Sequence, residues 1–300
     1  MSSNLRLTRV AATLVLTGLL AGGATSAQQE LVMEPLKDSG LNVYPAFEGW
    51  YKNPDGSFTL LVGYYNRNKK QILDIPIGPQ NRIEPGGPDQ GQPTHFLVGR
   101  GWGTVAIKVP KDFGDKKLTW TLTANGKTVS IPLGVVKGYQ IEPFKDAAMG
   151  NEPAILKFEP TEKGIQGPPP PLAQALSAAA VAGEATPLSV WINDDMHAET
   201  PTAAGGGGGG GAGFAGAQRP RLSVVFSKYR GTGTVTFDDN TPTIGKDGKA
   251  TTNATFSAPG EYFIRIEGND ASGVGGGGFQ CCWTTAYIRV TVKAATTGGL

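Results

Sequence analysis

Residues 223–237, SVVFSKYRGTGTVTF, residues 250–273, ATTNATFSAPGEYFIRIEGNDASG, and residues 286–292, AYIRVTV, decide the fold. In the middle stretch Pro259-Gly260 sets a turn, after which Tyr262, Ile264 and Ile266 recur at every second position. Alternation of this period after a turn signal is the mark of a half-buried strand. The same reading predicts strands at 188–192, 222–227, 234–237, 251–256, 262–267 and 284–292.

Upstream, residues 57–65, SFTLLVGYY, follow the turn signal Asn53-Pro54-Asp55-Gly56. Further strands are expected at 72–77, 104–109, 118–123, 128–131 and 139–141. Asn125-Gly126 separates two of them and supplies the positive φ angles of a tight hairpin. Nothing in this half sustains a helical period. Short strands at close spacing with many turn residues, among 44 glycines and 22 prolines, predict an all-β chain of two tandem sandwiches.

Residues 79–92, PQNRIEPGGPDQGQ, read as a polar surface or binding loop too interrupted to be a strand. Residues 167–171, GPPPP, and the Ala-rich 172–182 read as a polyproline and helical or mobile tether. Asn193 to Arg221 holds seven consecutive glycines, Gly205 to Gly211, and cannot pack a core of its own. The expected organisation is a signal peptide at 1–27, a lead-in at 28–45, an N-terminal sandwich at 46–165 and a Pro/Ala-rich linker at 166–185. A second sandwich follows at 186–293 with a Gly-rich insert at 203–217, and a tail at 294–300.

The signal peptide is read from Arg6 and Arg9 ahead of an apolar run at 10–20 and small residues up to Ala27. The run is short of the roughly 20 apolar residues that span a bilayer, so cleavage and a secreted, periplasmic or cell-surface location are expected, with no later transmembrane segment. Without Arg6 and Arg9 the 27 Lys+Arg become 25, equal to the 25 Asp+Glu. A neutral chain lacks the basic footprint of a nucleic-acid binder.

The stretches at 223–237, 250–273 and 286–292 resemble the PKD-type, immunoglobulin-like repeat of secreted bacterial proteins. In that repeat a strand ending in a W-S-K-x-x-G-P-G-like turn precedes an ATFSAPGTYVLRLTANDG hairpin. Phe226 stands where the repeat carries Trp, and the glycine insert and the Cys-Cys pair are additions. The resemblance covers roughly 186–293 and implies a non-catalytic adhesion, spacing or ligand-presenting module; the expected fold is two tandem immunoglobulin-like sandwiches. The N-terminal half, with G-Y-x-N-R-N at 63–68, is similar to other exported bacterial proteins that carry no assigned activity.

In an immunoglobulin-like sandwich 188–192 would be strand B, 222–227 C, 262–267 F and 284–292 G, and the B–C and F–G connections leave at one end. That end would gather Asp194, Asp195, His197, Asn269 and Asp270 beside Cys281-Cys282. Asp194, Asp195 and Asp270 are candidate oxygen ligands for Ca2+; the alternative is that they cap their own turns. Adjacent cysteines chelate one tetrahedral zinc poorly.

In an oxidising compartment Cys281 and Cys282, the only cysteines, are expected to close a vicinal disulfide, with two free thiols as the alternative. Such a ring joins Cα atoms about 3.8 Å apart where ordinary bridges need about 4.4 Å, and it closes almost no loop. Phe279, Cys281, Cys282, Trp283 and Trp102 are the candidate binding residues.

Trp50, Tyr51, Tyr64, Tyr65 and Trp102 are candidates to stack on sugar rings, or else they pack inward. His95 and His197 lie in no catalytic motif. The expectation is a non-enzymatic binding, adhesion, scaffold or surface-assembly protein that meets protein or glycan, or itself, through loop tips. The alternative is a secreted carbohydrate-active enzyme or its accessory module, for which two carboxylates suffice.

Overall fold

The structure is a computed structural model and describes residues 35–146, 150–194, 222–270, 272–273 and 281–295. The signal-peptide expectation, the glycine insert, Asp195, His197 and Phe279 lie outside the described residues. Among the described residues the chain is all-β apart from a 3-10 turn at Leu172–Gln174, and no helix is long and apolar enough to cross a membrane. The strands form two tandem sandwiches, each around its own core, and residues 36–300 make one compact unit.

In the first sandwich one sheet orders β1 (Val43–Lys52), β2 (Phe58–Asn66) and β6 (Gly99–Val109). The other orders β4 (Asn81–Glu84), β7 (Leu118–Ala124) and β8 (Lys127–Leu133), with a short pair β3 (Leu73–Asp74) and β5 (His95–Phe96) beside them. Leu60, Val62, Ile83, Phe96, Trp120 and Leu133 are buried between the layers. The hairpin joining β7 to β8 turns at Asn125 (φ 47°) and Gly126 (φ 75°), both positive as a type I′ turn requires.

Asn66 and Asn68 of the G-Y-x-N-R-N segment are buried stitches. Asn66 Nδ2 donates to Phe96 O at 3.1 Å, and Asn68 exchanges bonds with the Leu41 backbone at 2.7 and 2.8 Å. The polar loop at 79–92 holds β4, contrary to expectation. Its Asn81 is fully buried, accepting from Trp120 Nε1 at 3.0 Å and donating to Ile75 O and Pro93 O. A polar residue satisfied on every side behaves as core.

The second sandwich sets β9 (Ile155–Lys157), β10 (Ile165–Gln166), β12 (Ala185–Asn193), β14 (Val235–Phe237) and β15 (Lys249–Phe256) in one sheet, ordered β10-β9-β12-β15-β14. Its partner is ordered β11 (Leu176–Val181), β17 (Trp283–Lys293), β16 (Gly260–Asn269), β13 (Ser223–Arg230). With β9, β12, β15 and β14 as A, B, E and D, and β13, β16 and β17 as C, F and G, this is the immunoglobulin order. Phe226 is buried on strand C in the place of the usual Trp, within a core of Val190, Ile192, Ile264, Ile266 and Val290.

The expected linker at 166–185 is corrected. β11 pairs in parallel with β17, Leu176 opposite Ile288 through Val181 opposite Lys293, so it is an added strand beside G. Ala178, Ala180 and Ala182 pack on the core at every second residue, a strand's period that small side chains conceal in the sequence. β9, expected within the first sandwich, and β10, at its expected boundary with the linker, also belong to the second sandwich, beside β12. The prolines at 168–171 lack N–H groups and interrupt the edge between β10 and β11, which is why this edge reads as a tether.

Candidate functional site

Cys281 and Cys282 form the expected disulfide, with Cα atoms 3.7 Å apart, and neither cysteine is free. Cys282 takes a positive φ of 81°, and the only cis peptide among the described residues is Glu84–Pro85. The pair does not stand on an exposed tip: Cys281, Cys282 and Trp283 are buried, at 4%, 3% and 3% exposure. Both sulfurs sit against Asn151 O, at 3.9 and 3.5 Å, and Asn151 lies on the segment that leads into β9. As surface binding residues they are corrected; they are internal supports of the β16–β17 end.

Asp270 is fully buried just beyond β16. Its Oδ1 accepts from Ser272 N and Oγ at 2.8 and 2.5 Å, and its Oδ2 accepts from Asn151 Nδ2 at 2.7 Å. Oδ1 therefore caps its own turn, the role open to Asp in the sequence, and Oδ2 is engaged by the distant Asn151. Asp194 follows β12 at this end, where Ile192 and Leu156 pack under Gly268. Among the described residues no three of His, Cys, Asp and Glu gather as a metal centre, and the calcium expectation gains no ligand set.

What Trp283 meets leads to a densely bonded polar seam between the two sandwiches. The register of β2 and β6 shifts between Val62 and Tyr64, so β6 bulges at Gly101–Thr104. Gly103 has φ 43°, and a Cβ there would fall 2.7 Å from Trp283 Cζ2. Bulges of this kind re-aim a strand and end its pairing. Here the bulge presses backbone onto the outer face of the β11-β17-β16-β13 sheet.

Hydrogen bonds fix that contact. Tyr229 Oη lies 2.8 Å and Tyr287 Oη 3.0 Å from Thr104 O, and Tyr229 also reaches Gly91 O at 2.7 Å. Arg265 Nη2 donates to Trp102 O at 3.1 Å and pairs with Glu267 at 2.5 Å. Trp102, a candidate binding residue, is half-buried with the Arg100 guanidinium 4.3 Å over its ring. Arg230 forks onto Asp89 at 2.9 and 2.7 Å, and Lys228 reaches Asp74 at 3.0 Å. The same Asp74 oxygen is 2.8 Å from His95 Nδ1, so His95 is a structural hydrogen-bonding residue at this seam.

Glu48 anchors the bulge from behind. Its carboxylate accepts from Arg100 Nη2 at 2.6 Å and from Gly103 N at 2.8 Å. Gly63 leaves the room: a Cβ there would fall 2.1 Å from Glu48 Oε1. Burial pushes the Glu48 carboxyl up to about 7 against the opposing pull of Arg100, the Gly103 N–H and Arg265. Burial likewise lifts the Tyr287 phenol to about 12 and Tyr229 well above its usual value, so both remain donors. Sequence reasoning passed over Glu48, Arg100, Tyr229, Arg265 and Tyr287; for Arg265 and Tyr287 the signal available was a large polar or aromatic residue at an outward position of β16 or β17.

The aromatic residues proposed for sugar stacking divide. Tyr64 is buried against Phe96, Trp50 packs edge-on to Phe58, and Tyr51 packs edge-on to Phe144. Tyr139, expected in a strand, is instead 54% exposed and stacked on Phe47 with ring centroids 5.7 Å apart.

No protein-family model matches the chain, and no curated protein matches it. Among solved structures, that of the S-layer protein rSbsC(31-844) is similar at 12% identity and a TM-score of 0.25, covering 86% of this chain. The chain spans 28% of that protein's length. A titin structure, A168169, is similar at 12% identity and a TM-score of 0.24, covering 83% of this chain and 98% of the chain in that structure. The sialic acid binding region of a Streptococcus sanguinis SK1 adhesin is similar at 8% identity and a TM-score of 0.22, covering 85% of this chain and 78% of that one. At these TM-scores the likenesses carry no argument, and the fold rests on the strand order of the chain itself.

Proposed function

We propose that the chain is an exported, non-enzymatic structural or binding module of the cell surface, whose C-terminal sandwich is of the PKD type and whose two sandwiches act as one rigid body. The observation that carries this reading is the contact of the β6 bulge with the second sandwich. Tyr229, Arg265 and Tyr287 make that contact and Glu48 braces the bulge from behind; burial raises the pKa of Glu48 and the two tyrosines, while for Arg265 burial is outweighed by Glu267 and the tyrosines, which hold it charged. Perturbed groups are a mark of catalysis when they face a cleft, and of architecture when they face each other. Here Arg265 meets Glu267 and the two tyrosines meet one carbonyl.

A rigid pair of sandwiches suits a spacer that holds recognition surfaces away from the cell, meeting a protein, a glycan or another copy of itself. Two measurements test the reading. Small-angle scattering of the purified protein should give one compact shape rather than a flexible pair. Incubation with a panel of polysaccharides should release no new reducing ends. Turnover of any of them would transfer the chain to the carbohydrate-active enzymes.

A further inference from the structure

β1 and β8 end their respective sheets in the first sandwich, and the space between them is not closed by a further strand. It forms a groove of 330 Å³ walled by Pro45 and Phe47 of β1, Ile131 and Pro132 of β8, and Val136 and Tyr139 beyond. Across Lys117, Gly134 and Val136 it runs into a second hollow of 350 Å³, bordered by Asp115, Lys116 and Lys137. Gly134 keeps the shared floor low, since a Cβ there would come 3.3 Å from Lys116 O.

The groove is held in shape by bonds that involve none of its exposed side chains. Trp50 Nε1 donates to Val136 O at 2.8 Å, and Tyr139 N donates to the same carbonyl at 3.0 Å. Trp50 N donates to Tyr139 O at 2.9 Å, and Ile141 N donates to Trp50 O at 3.0 Å. The Tyr139 ring is thereby fixed on Phe47, with more than half of its surface open to solvent. Such a platform loses little freedom when a ligand arrives.

Charge selects the ligand. Lys116, Lys117 and Lys137 are exposed and make no side-chain hydrogen bond or ion pair among the described residues, and one carboxylate, Asp115, stands among them. A fixed aromatic face suits the C–H face of a pyranose ring, and unpaired ammonium groups suit carboxylates. An acidic peptide would use the lysines but has no need of an open, flat ring. We propose that this groove binds an acidic glycan of uronate type, Tyr139 lying against a sugar ring while Lys116, Lys117 and Lys137 meet its carboxylates. The inference deepens the binding-module reading by naming a ligand class, and so rests on it.

Calorimetry of the whole chain with polygalacturonate, its methyl-esterified form and poly-glutamate tests it. Expected are binding of polygalacturonate that weakens with added salt, and a loss of about tenfold or more in both Tyr139→Ala and the charge-reversal pair Lys117→Glu with Lys137→Glu. These positions are exposed, and an unchanged melting temperature shows that the fold is kept. Equal binding of the esterified polymer or of poly-glutamate overturns the proposal, as does no binding or binding indifferent to both variants. Cleavage of the polymer, read as new reducing ends, would overturn the non-enzymatic reading while leaving the groove's ligand class standing.

Discussion

Replacing Gly103 by alanine tests the contact between the sandwiches at its tightest point. Two costs are expected there. The backbone sits at φ 43°, where an L side chain costs about 1–2 kcal/mol. The new Cβ would also lie 2.7 Å from Trp283 Cζ2, part of a rigid buried ring, and 3.3 Å from the buried Leu61 Cδ1. Overpacking of this sort costs about 1–3 kcal/mol, so the sum is about 2–5 kcal/mol, a large part of the roughly 5–15 kcal/mol that holds a domain. Gly114 supplies the control: its φ is 56°, but the nearest atom to a Cβ there, Asp112 O, is 3.9 Å away. Gly114→Ala should lose only the backbone term, about 1–2 kcal/mol. Urea unfolding of both variants, followed by fluorescence and with m-values compared, measures the difference. If Gly103→Ala and Gly114→Ala lose the same amount, the bulge is not pressed onto Trp283 and the rigid-body argument fails.

Glu48 makes stability depend on pH in an unusual direction for a carboxyl. Its folded value of about 7 exceeds the ordinary 4.5, so its contribution is fully present below pH 4.5 and is lost as pH rises through 7, by about 3 kcal/mol in all. Glu48→Gln should flatten unfolding free energy between pH 4.5 and 8; an unchanged slope would assign the dependence elsewhere. For Cys281 and Cys282, intact mass after alkylation should rise by two adducts only when a reductant is present, and labelling of untreated protein would contradict the disulfide. Proline at Ala178 and, separately, at Ala179 probes the β11 ladder. One of the two neighbours donates to β17, so at least one variant should lose about 1 kcal/mol or more. Two silent prolines would restore the tether.

Local rules carried the strands whose partners lie close in the chain. Asn125-Gly126 and Pro259-Gly260 specify their turns within a few residues, and Tyr262, Ile264 and Ile266 do point into the second core. The same rules failed where pairing is distant or the period is muted. β11 offers alanines, whose own preference is for helix, and its identity as a strand comes from partners such as Thr291 and Val292 far along the chain. The vicinal disulfide was legible because its geometry is covalent. Its burial was not, since Asn151 O supplies the cover from a part of the chain far away in sequence. The strand expected at 139–141 comes down to one bridge, Gln140 beside Trp50, because its partner is β1, far back in the chain.

The seam between the sandwiches explains why polarity misleads in this chain. Along β16 the inward positions are Tyr262, Ile264 and Ile266, and the alternate positions are Phe263, Arg265 and Glu267. Taken alone, Arg265 and Glu267 mark a solvated face, which is the usual meaning of charge at every second residue. Yet Glu267 is 7% exposed, and Arg265 reaches the Trp102 carbonyl of the neighbouring sandwich. Charges on such a face can be buried without ruin only if each finds a partner. Arg265 finds Glu267 within its own strand and Arg100 finds Glu48 within the first sandwich, so each sandwich brings neutralised pairs to the junction. The bonds that then cross the seam at the bulge run from side-chain donors to backbone carbonyls, at Trp102, Thr104 and Gly91. Carbonyls are present whatever the side chains, so at these points recognition is written mainly on the second sandwich, while Asp74 and Asp89 of the first add carboxylates for Lys228 and Arg230. The first contributes the shape that brings its backbone within reach: glycines at 63, 101 and 103.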